Sequence, residues 1–572
     1  MTVAPYRPEP TNIGPHRRGG VLRVVVPTGA TAFDPSCAPV SAAPFVRLHT
    51  RQLVTWQVAR DVRDWQAVAP VPDLALEVPS TWNAGLGASH RSYVFHLRPD
   101  VRWDTPDRRR VTAHDVVRGF KRMCNPVRPS PSLAYFASTV RGLATFATEW
   151  AAEAAHQAGD ASTLAAYQNG HEIPGVLALD DDTLVIELAR PALDFVQMLA
   201  LPAASAVPVE HDAFIPGSPE AAAQLCANGP YRVRRHRPGQ WLELVRNPAW
   251  EPAADPYRRA EADRVELRLS DGTGRADVGP AGEGAEVSGA PAVGGLPAAE
   301  PVDGDGVLGW VLDPYLVLNL LDPIWADPRV RQAAALAVDK AAVAALYRRH
   351  RPGVPVRVAG SLIPPGNVGH GTTDPYPTPD GAGDPARARD LLASARRADG
   401  PPLILIHPHS GLGPEVAHAC TTSLIRAGLP TRPVGLSDAA YAEALRRPAA
   451  AGGWQLAVAS RVPDWLEHNG RVFVQAMLQA TPVPGGANHG GYSSPEVDAL
   501  IERALDVAEP WQAEATWQAA AERALADVAV VPILHRAPVT APRQPDLVDE
   551  VRPLPPQGYA VDLTAVRPEV DR

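Results

Sequence analysis

Lysine is nearly absent from this 572-residue chain: Lys121 and Lys340 are the only two among 54 basic residues, so arginine carries the positive charge. Few side chains are left for a phosphate-loop or Schiff-base lysine, and no glycine-rich phosphate loop or dinucleotide fingerprint stands in a strand-to-helix setting. Cysteine is also sparse. Cys37, Cys124, Cys226 and Cys420 lie far apart with no C-x-x-C pair, which removes the usual zinc and redox arrangements. They read as scattered structural thiols, or as one long-range disulfide in an oxidising compartment, whose pairing the spacing does not choose. No stretch approaches the roughly 18 consecutive apolar residues of a membrane helix. Met1 to Gly20 holds four prolines and several charges where a signal peptide would place its apolar segment, and no lipid-attachment cysteine follows. No run of like charge is longer than Arg108-Arg109-Arg110, and the net charge is −9, which argues against nucleic acid as a partner.

What is present is an ordinary globular composition, 45% hydrophobic and 20% charged, cut by 62 prolines and 45 glycines into short elements with many turns. Val21 to Val26 is an apolar β-branched run and reads as a buried strand; Tyr93 to Leu97 alternates as a strand should. Thr112 with Asp115 three residues on resembles a capping box with Asp in place of Glu, opening a helix over Val116 to Met123. Leu184 to Leu188 reads as a strand, and Tyr231 to Val233 with Trp241 to Val245 as a hairpin across Pro238-Gly239. Ser270 to Gly306 is rich in Gly, Ala, Pro and acids and reads as a loose connection near a domain boundary. Beyond it, Tyr315 to Leu321 is strand-like, and Pro328 suits the first turn of one long helix over Arg329 to Tyr347. Leu403 to Ile406 and Trp454 to Val458 are strand-like, with helical stretches near Ala386 to Ala395 and Val416 to Ala427. Strands alternating with helices indicate an α/β lobe.

Two constellations invite a chemical reading. His407 and His409, with His418 nearby, are imidazoles at close spacing and could hold a transition metal, but Pro408 breaks the strand they follow, so loop histidines are the alternative. Ser410 in His409-Ser410-Gly411-Leu412-Gly413 lacks the first glycine of the nucleophile elbow, so a hydrolase is not supported. No catalytic residue, cofactor or metal is assigned.

A series of short motifs in one order resembles the bacterial extracytoplasmic solute-binding proteins, family five, receptors for oligopeptides, dipeptides and nickel complexes. The motifs are Pro72-Asp73-Leu74-Ala75, Tyr93 to Arg98 leading through Val101-Arg102-Trp103 into Val111 to Val117, Asn228-Gly229-Pro230-Tyr231, Arg246-Asn247-Pro248, Asp327 to Ala333, and Val338-Asp339-Lys340. Length and arginine-richness are similar to the oligopeptide-binding members encoded with clavulanic acid biosynthesis genes, although no motif singles that group out. The resemblance implies a two-lobed α/β, type II periplasmic-binding-protein-like fold with an extra domain on the first lobe. It implies a short peptide or peptide-like solute held in the cleft by hinge closure, permease subunits of an ABC importer as partners, a monomer with no membrane span, and an extracytoplasmic location. Residues 20–55, 199–308 and 530–572 would form lobe I, 56–198 the extra domain, 309–529 lobe II, and 1–19 an extension. In peptide-binding members an aspartate after a late strand of the second lobe pairs with the ligand's α-amino group; the matching stretch here is Ala459 to Trp465, which puts Asp464 in that role. A surface Asp464 capping the next helix is the alternative. Tyr135 matches a cleft-lining tyrosine of the extra domain, Ser460, Arg461, Val462 and Trp465 flank the anchor, and Cys37 to Ser41 would offer main-chain groups, with Ser41 at its end. A binding protein of a biosynthetic pathway, holding a small metabolite in the same cleft, is the competing function.

Overall fold

The computed structural model describes residues 19–26, 33–58, 65–156, 159–237, 240–269, 286–288, 308–395, 400–446, 453–480, 486–507, 510–539, 553–558 and 560–566. A five-stranded, a seven-stranded and a smaller three-stranded sheet, with two two-stranded pairs, make up the β-structure of the described residues. The first sheet has five strands in the order Glu286–Ser288, Val21–Val26, Arg264–Leu269, Trp241–Arg246, Tyr231–Arg237. Val21–Val26 runs parallel to both neighbours, and Leu22, Val24 and Val26 enter a core with Phe45, Tyr231 and Leu267. Alternate residues point inward, while Arg23 on the other face pairs with Glu266 at 3.3 Å. The expected hairpin forms, with Tyr231 opposite Arg246 and Arg237 opposite Trp241; its turn at Pro238-Gly239 lies outside the described residues.

The three-stranded antiparallel sheet, Ser92–His96, Thr183–Glu187 and Val176–Ala178, buries Tyr93, Phe95, Leu184 and Ile186 on one face. Helix Ala113–Arg122 packs against it and begins as the sequence indicated: the Asp115 carboxylate accepts from the Thr112 N–H at 3.0 Å. The same carboxylate also accepts from Trp103 Nε1 at 3.0 Å and from both Arg109 Nη atoms at 3.0 Å, so one buried acid ties the helix start to the preceding loop.

The second sheet has seven strands. Six run in the order Val356–Val358, Leu534–Arg536, Val311–Leu318, Leu456–Arg461, Leu403–Pro408, Thr431–Leu436, and Val530–Pro532 also pairs with Val311–Leu318. All eight residues of the central strand Val311–Leu318 are buried. Helix Gly413–Arg426 joins the parallel strands Leu403–Pro408 and Thr431–Leu436 as a βαβ unit. Among the described residues no helix is long and apolar enough to cross a membrane.

Two expectations need correction and one strand end is refined. The single helix over Arg329 to Tyr347 is two, Pro328–Ala337 and Lys340–His350: Val338 is extended, and the Asp339 carboxylate accepts from the Ala342 N–H at 2.8 Å to start the second. The strand from Leu403 runs two residues past Ile406 and ends at Pro408, which pairs with Leu436 at its last position, so the proline does mark the break. Val530–Pro532 and Leu534–Arg536 belong to the second sheet, antiparallel to Val311–Leu318, and not to the first lobe. Only the following segment returns, where Val561, Leu563 and Val566 join the core of Leu22 and Val24. The stretch from Ser270 to Gly306 lies outside the described residues except for the edge strand Glu286–Ser288, and residues 1–18 lie outside them as well.

Several of the short motifs, those at Asp73, Arg98, Asn228 and Asn247, converge on one place. Arg51 donates to Asp73 Oδ1 at 2.7 Å and Arg258 to Asp73 Oδ2 at 2.7 Å, and Arg258 also pairs with Asp255 at 3.2 Å; none of the four has more than 1% of its surface exposed. Arg51 N–H donates to Asn228 Oδ1 at 2.9 Å, and Asn247 Nδ2 to the Gly229 carbonyl at 2.9 Å. A Cβ at Gly229 would stand 2.8 Å from the His49 carbonyl carbon, so this crossing accepts no side chain. Burial alone would raise the Asp73 carboxyl, but the Arg258 and Arg51 guanidiniums hold it far below the ordinary carboxylate range.

A group depressed in this way contributes its stability above its unfolded pKa of about 4 and loses it as the pH falls through the lower folded value. Asp73→Asn is therefore expected to destabilise the protein by about 3–5 kcal/mol at pH 7, because it strands two buried guanidiniums. The gap from the parent should narrow as the pH falls from about 4 toward 2. Urea unfolding across that range checks it; a loss below about 1 kcal/mol at pH 7 rejects the network's importance.

Candidate functional site

Strand Leu456–Arg461 leaves the second sheet at its last residue, and the loop that follows carries the chain to helix Gly470–Leu478. Arg461 turns back over this loop. Its Nε donates to the Val472 carbonyl at 3.1 Å, and its Nη2 reaches both Asp464 Oδ2 at 2.7 Å and the Tyr135 hydroxyl at 2.6 Å. Tyr135 comes from the short helix Leu133–Ala137, far away in sequence, and its O–H donates to Asp464 Oδ2 at 2.7 Å. The Tyr135 ring stands edge-on to Trp465 with centroids 5.0 Å apart.

The electrostatics agree with these roles. Burial, reinforced by the Asp464 charge, raises the Tyr135 phenol well above its ordinary value, so it stays protonated and can donate. Burial works against the Arg461 guanidinium, yet the charge of Asp464 beside it more than restores its proton affinity. Asp464 Oδ2 thus receives two donors, while no group among the described residues donates to Oδ1. Asp464 is 8% exposed. It is a largely buried, compensated carboxylate and not a surface cap; Asn469 precedes the next helix without a side-chain cap.

The other expected residues divide. Ser460, exposed, borders the same loop, and Val462 is half-buried in it. Ser41 sits exposed in the short turn Val40–Ala42, with no hydrogen bond or ring contact to the Tyr135 cluster among the described residues. A neighbouring seam was not legible beforehand. Arg471, 2% exposed, donates to Thr139 Oγ1 at 2.8 Å and pairs with Asp194 at 2.9 Å, and Gln475 donates to Ser138 at 3.0 Å. Burial presses the Asp194 carboxyl up and the Arg471 guanidinium down, each opposed by its partner's charge. A buried arginine at a helix start was the only available signal, and nothing in the sequence paired it with Asp194.

Beside Ser460 and Arg461 opens a cavity of about 230 Å³, bordered by Asp313, Arg351, Tyr441 and His489 and by the turn Ser410 to Gly413. Tyr441 O–H donates to the Val458 carbonyl, which holds one wall. Burial lowers the His489 imidazole to about 4, so it is neutral at pH 7, with Nδ1 facing the Leu445 carbonyl at 3.1 Å. Ser410 donates to Asp438 at 2.7 Å and has no histidine partner among the described residues. His407 and His409 have ring centroids 6.4 Å apart, and no group of three or more His, Cys, Asp or Glu side chains suited to a metal occurs among the described residues.

Residues 69–474 match the family model described as bacterial extracellular solute-binding proteins, family 5 Middle. The di/tripeptide-binding protein 4 of Pseudomonas aeruginosa is 27% identical over 493 residues, 83% of this chain and 82% of that protein. The periplasmic oligopeptide-binding protein OppA of Salmonella typhimurium is 28% identical over 162 residues, 28% of this chain. That match spans 26% of OppA, so it covers about a quarter of that relative's length. Among solved structures, clavulanic acid biosynthesis oligopeptide binding protein 2 superposes with a TM-score of 0.69 at 24% identity, covering 97% of this chain and 96% of that one. The Escherichia coli murein tripeptide binding protein MppA superposes with 0.71 at 20% identity, covering 96% and 99%. At these identities the structures establish a shared two-lobed α/β fold.

Tyr135→Phe keeps the ring on Trp465 and removes only the hydroxyl that links Arg461 and Asp464 to the three-stranded-sheet domain. Loss of a hydrogen bond to charged groups is expected to cost about 1.5–3 kcal/mol in denaturant unfolding. A change within about 0.3 kcal/mol would show that the hydroxyl contributes nothing to this arrangement.

Proposed function

The chain belongs to the bacterial extracellular solute-binding proteins, family 5, and from that premise we propose that it captures a short peptide or peptide-like solute between its two lobes, closing by a hinge and delivering it to an ABC importer outside the cytoplasm. The first-sheet lobe with the three-stranded-sheet domain forms one body, and the second sheet, through Val539, forms the other. The chain passes from one to the other near residue 308 and again between Val539 and Pro553, two crossings that suit a hinge.

The observation that carries the reading is Asp464. A carboxylate fixed by Arg461 and Tyr135 through one oxygen, with the other unengaged, is preorganised to receive a ligand ammonium. Arg461 and Tyr135 position it, Trp465 supports Tyr135, Ser460 and Val462 offer main-chain groups on the loop, and Ser41 does so from the first lobe on closure. Main-chain recognition of an extended peptide is blind to side chains, so sequence preference should be broad. Support for a peptide as the solute comes from the relatives, which include a di/tripeptide-binding and an oligopeptide-binding protein.

Calorimetry with trialanine and N-acetyl-trialanine on the parent and on Asp464→Asn tests the anchor. Each change alone is expected to cost about 2–5 kcal/mol, roughly 30- to several-thousand-fold in affinity, and the two together little more than either. Additive losses, or an acetylation effect that Asp464→Asn leaves intact, reject the pairing. Hinge closure is checked by small-angle scattering: saturating trialanine should lower the radius of gyration of the open population, and a profile superimposable with the ligand-free one rejects it.

A further inference from the structure

We propose that Asn367 and Asn469 are positioning residues for the solute anchor, a buried amide pair that ties the Asp464 loop to the crossing between the lobes; this rests on the receptor reading above. Asn469 stands directly ahead of helix Gly470–Leu478, where an asparagine ordinarily caps, yet its side chain makes no cap bond. Its amide turns back instead. Nδ2 donates to the Trp465 carbonyl at 3.2 Å and to Asn367 Oδ1 at 2.7 Å, and Oδ1 accepts from the Val368 N–H at 3.0 Å. Asn367 Nδ2 donates in turn to the Trp310 carbonyl at 2.9 Å and to the Pro364 carbonyl at 3.1 Å. Both side chains are buried, and every amide hydrogen has an acceptor. Neither amide tolerates being turned over, because its NH2 group would then face the donor that its oxygen now accepts from.

The loop needs such a hold. Arg461 and Tyr135 fix the Asp464 carboxylate, but between Trp465 and Asn469 the backbone passes through two consecutive left-handed residues, Glu467 at φ 59° and His468 at φ 47°, neither of them glycine or asparagine. Left to itself, this stretch would relax toward ordinary φ and carry the preceding peptide with it. The Asn469 amide closes it against the Trp465 carbonyl, one residue on from Asp464. Just beyond, a Cβ at Gly470 would run into the Trp517 ring, so the helix start is seated without slack. At the other end of the pair, Trp310 follows the crossing near residue 308, after Gly309 at φ 75°, and Arg357 lies over its ring at 4.8 Å. Neither amide borders the cavity beside Arg461, and neither bonds to Asp464 among the described residues, so their effect on a solute is exerted through the loop.

Calorimetry with trialanine and N-acetyl-trialanine on the parent, Asn469→Ala and Asn367→Ala, each held below its thermal midpoint, tests the pair. The preference for trialanine over its acetylated form is expected to narrow by about ten-fold or more in both variants, through loss of trialanine binding alone, since the acetylated peptide makes no use of Asp464. Added to Asp464→Asn, Asn469→Ala should cost little further, because it acts through that carboxylate. A merely structural role predicts lower midpoints with the parent's preference for the free amine intact. A smaller narrowing in either folded variant overturns the proposal and leaves the Asp464 anchor standing, and so does an equal loss for both peptides. Should Asn469→Ala fail to fold, Asn367→Ala decides by the same criterion, because it removes the tie to Trp310 and leaves Asn469 bonded to Trp465. A parent that binds both peptides equally, or neither, overturns the anchor and the amide pair's role with it.

Discussion

Asp73 has no exposed surface, and two arginines from distant parts of the chain neutralise it. Around it meet the segment entering the three-stranded-sheet domain, the crossing at His49 to Gln52 and the loop that precedes strand Arg264–Leu269. The neighbouring residues extend the constraint outward: Arg98 donates to the Asp73 carbonyl at 2.8 Å, and Leu76 N–H to the His96 carbonyl at 2.8 Å, which reaches strand Ser92–His96. Charged hydrogen bonds in a low-dielectric interior are strongly directional in what they permit, because any displacement leaves an uncompensated charge. The first sheet and the smaller domain are thereby held in one relative orientation. Tyr135, carried by that domain, consequently arrives at the second lobe in a fixed position.

The seam that Tyr135 reaches is built differently from a domain core. Tyr135 with Arg461 and Asp464, Arg471 with Asp194, Gln475 with Ser138 and Arg190 with Glu502 at 2.7 Å cross from the smaller domain to the second lobe. A purely apolar seam would resist separation in proportion to its area, whereas charges and amides regain water when it opens. On the proposed hinge motion, such a seam fixes a unique closed register while keeping closure reversible. The adjoining cavity shares Arg461 with the seam.

Much of the fold was legible because it is local. Val21–Val26 announced itself through four valines and a leucine around Arg23, the hairpin from Tyr231 through two strand-like stretches about Pro238-Gly239, and the helix at Ala113 through Thr112 and Asp115. Errors came where a long-range choice overrode a local pattern. Arg329 to Tyr347 has helical periodicity throughout, yet Val338 goes into the core and Asp339 caps a new helix. Val530 to Leu534 is a short apolar run that either sheet could have used, and its antiparallel partner Val311–Leu318 lies more than 200 residues earlier.

The site shows the same division. The sequence placed Asp464 just after the strand-like run Trp454 to Val458, and the family resemblance, not the residues themselves, put Tyr135 beside it as an expected cleft neighbour. The sequence also set the charge inventory, nearly all arginine, from which any ion pair had to be drawn. Only the tertiary structure decided that Arg461 is the partner of Asp464, that Arg471 meets Asp194, and that Ser41 stands apart from the cluster. The reason is geometric. Guanidiniums and carboxylates are chemically interchangeable along a sequence, and which pair forms depends on where two lobes, separately folded, bring their surfaces into contact.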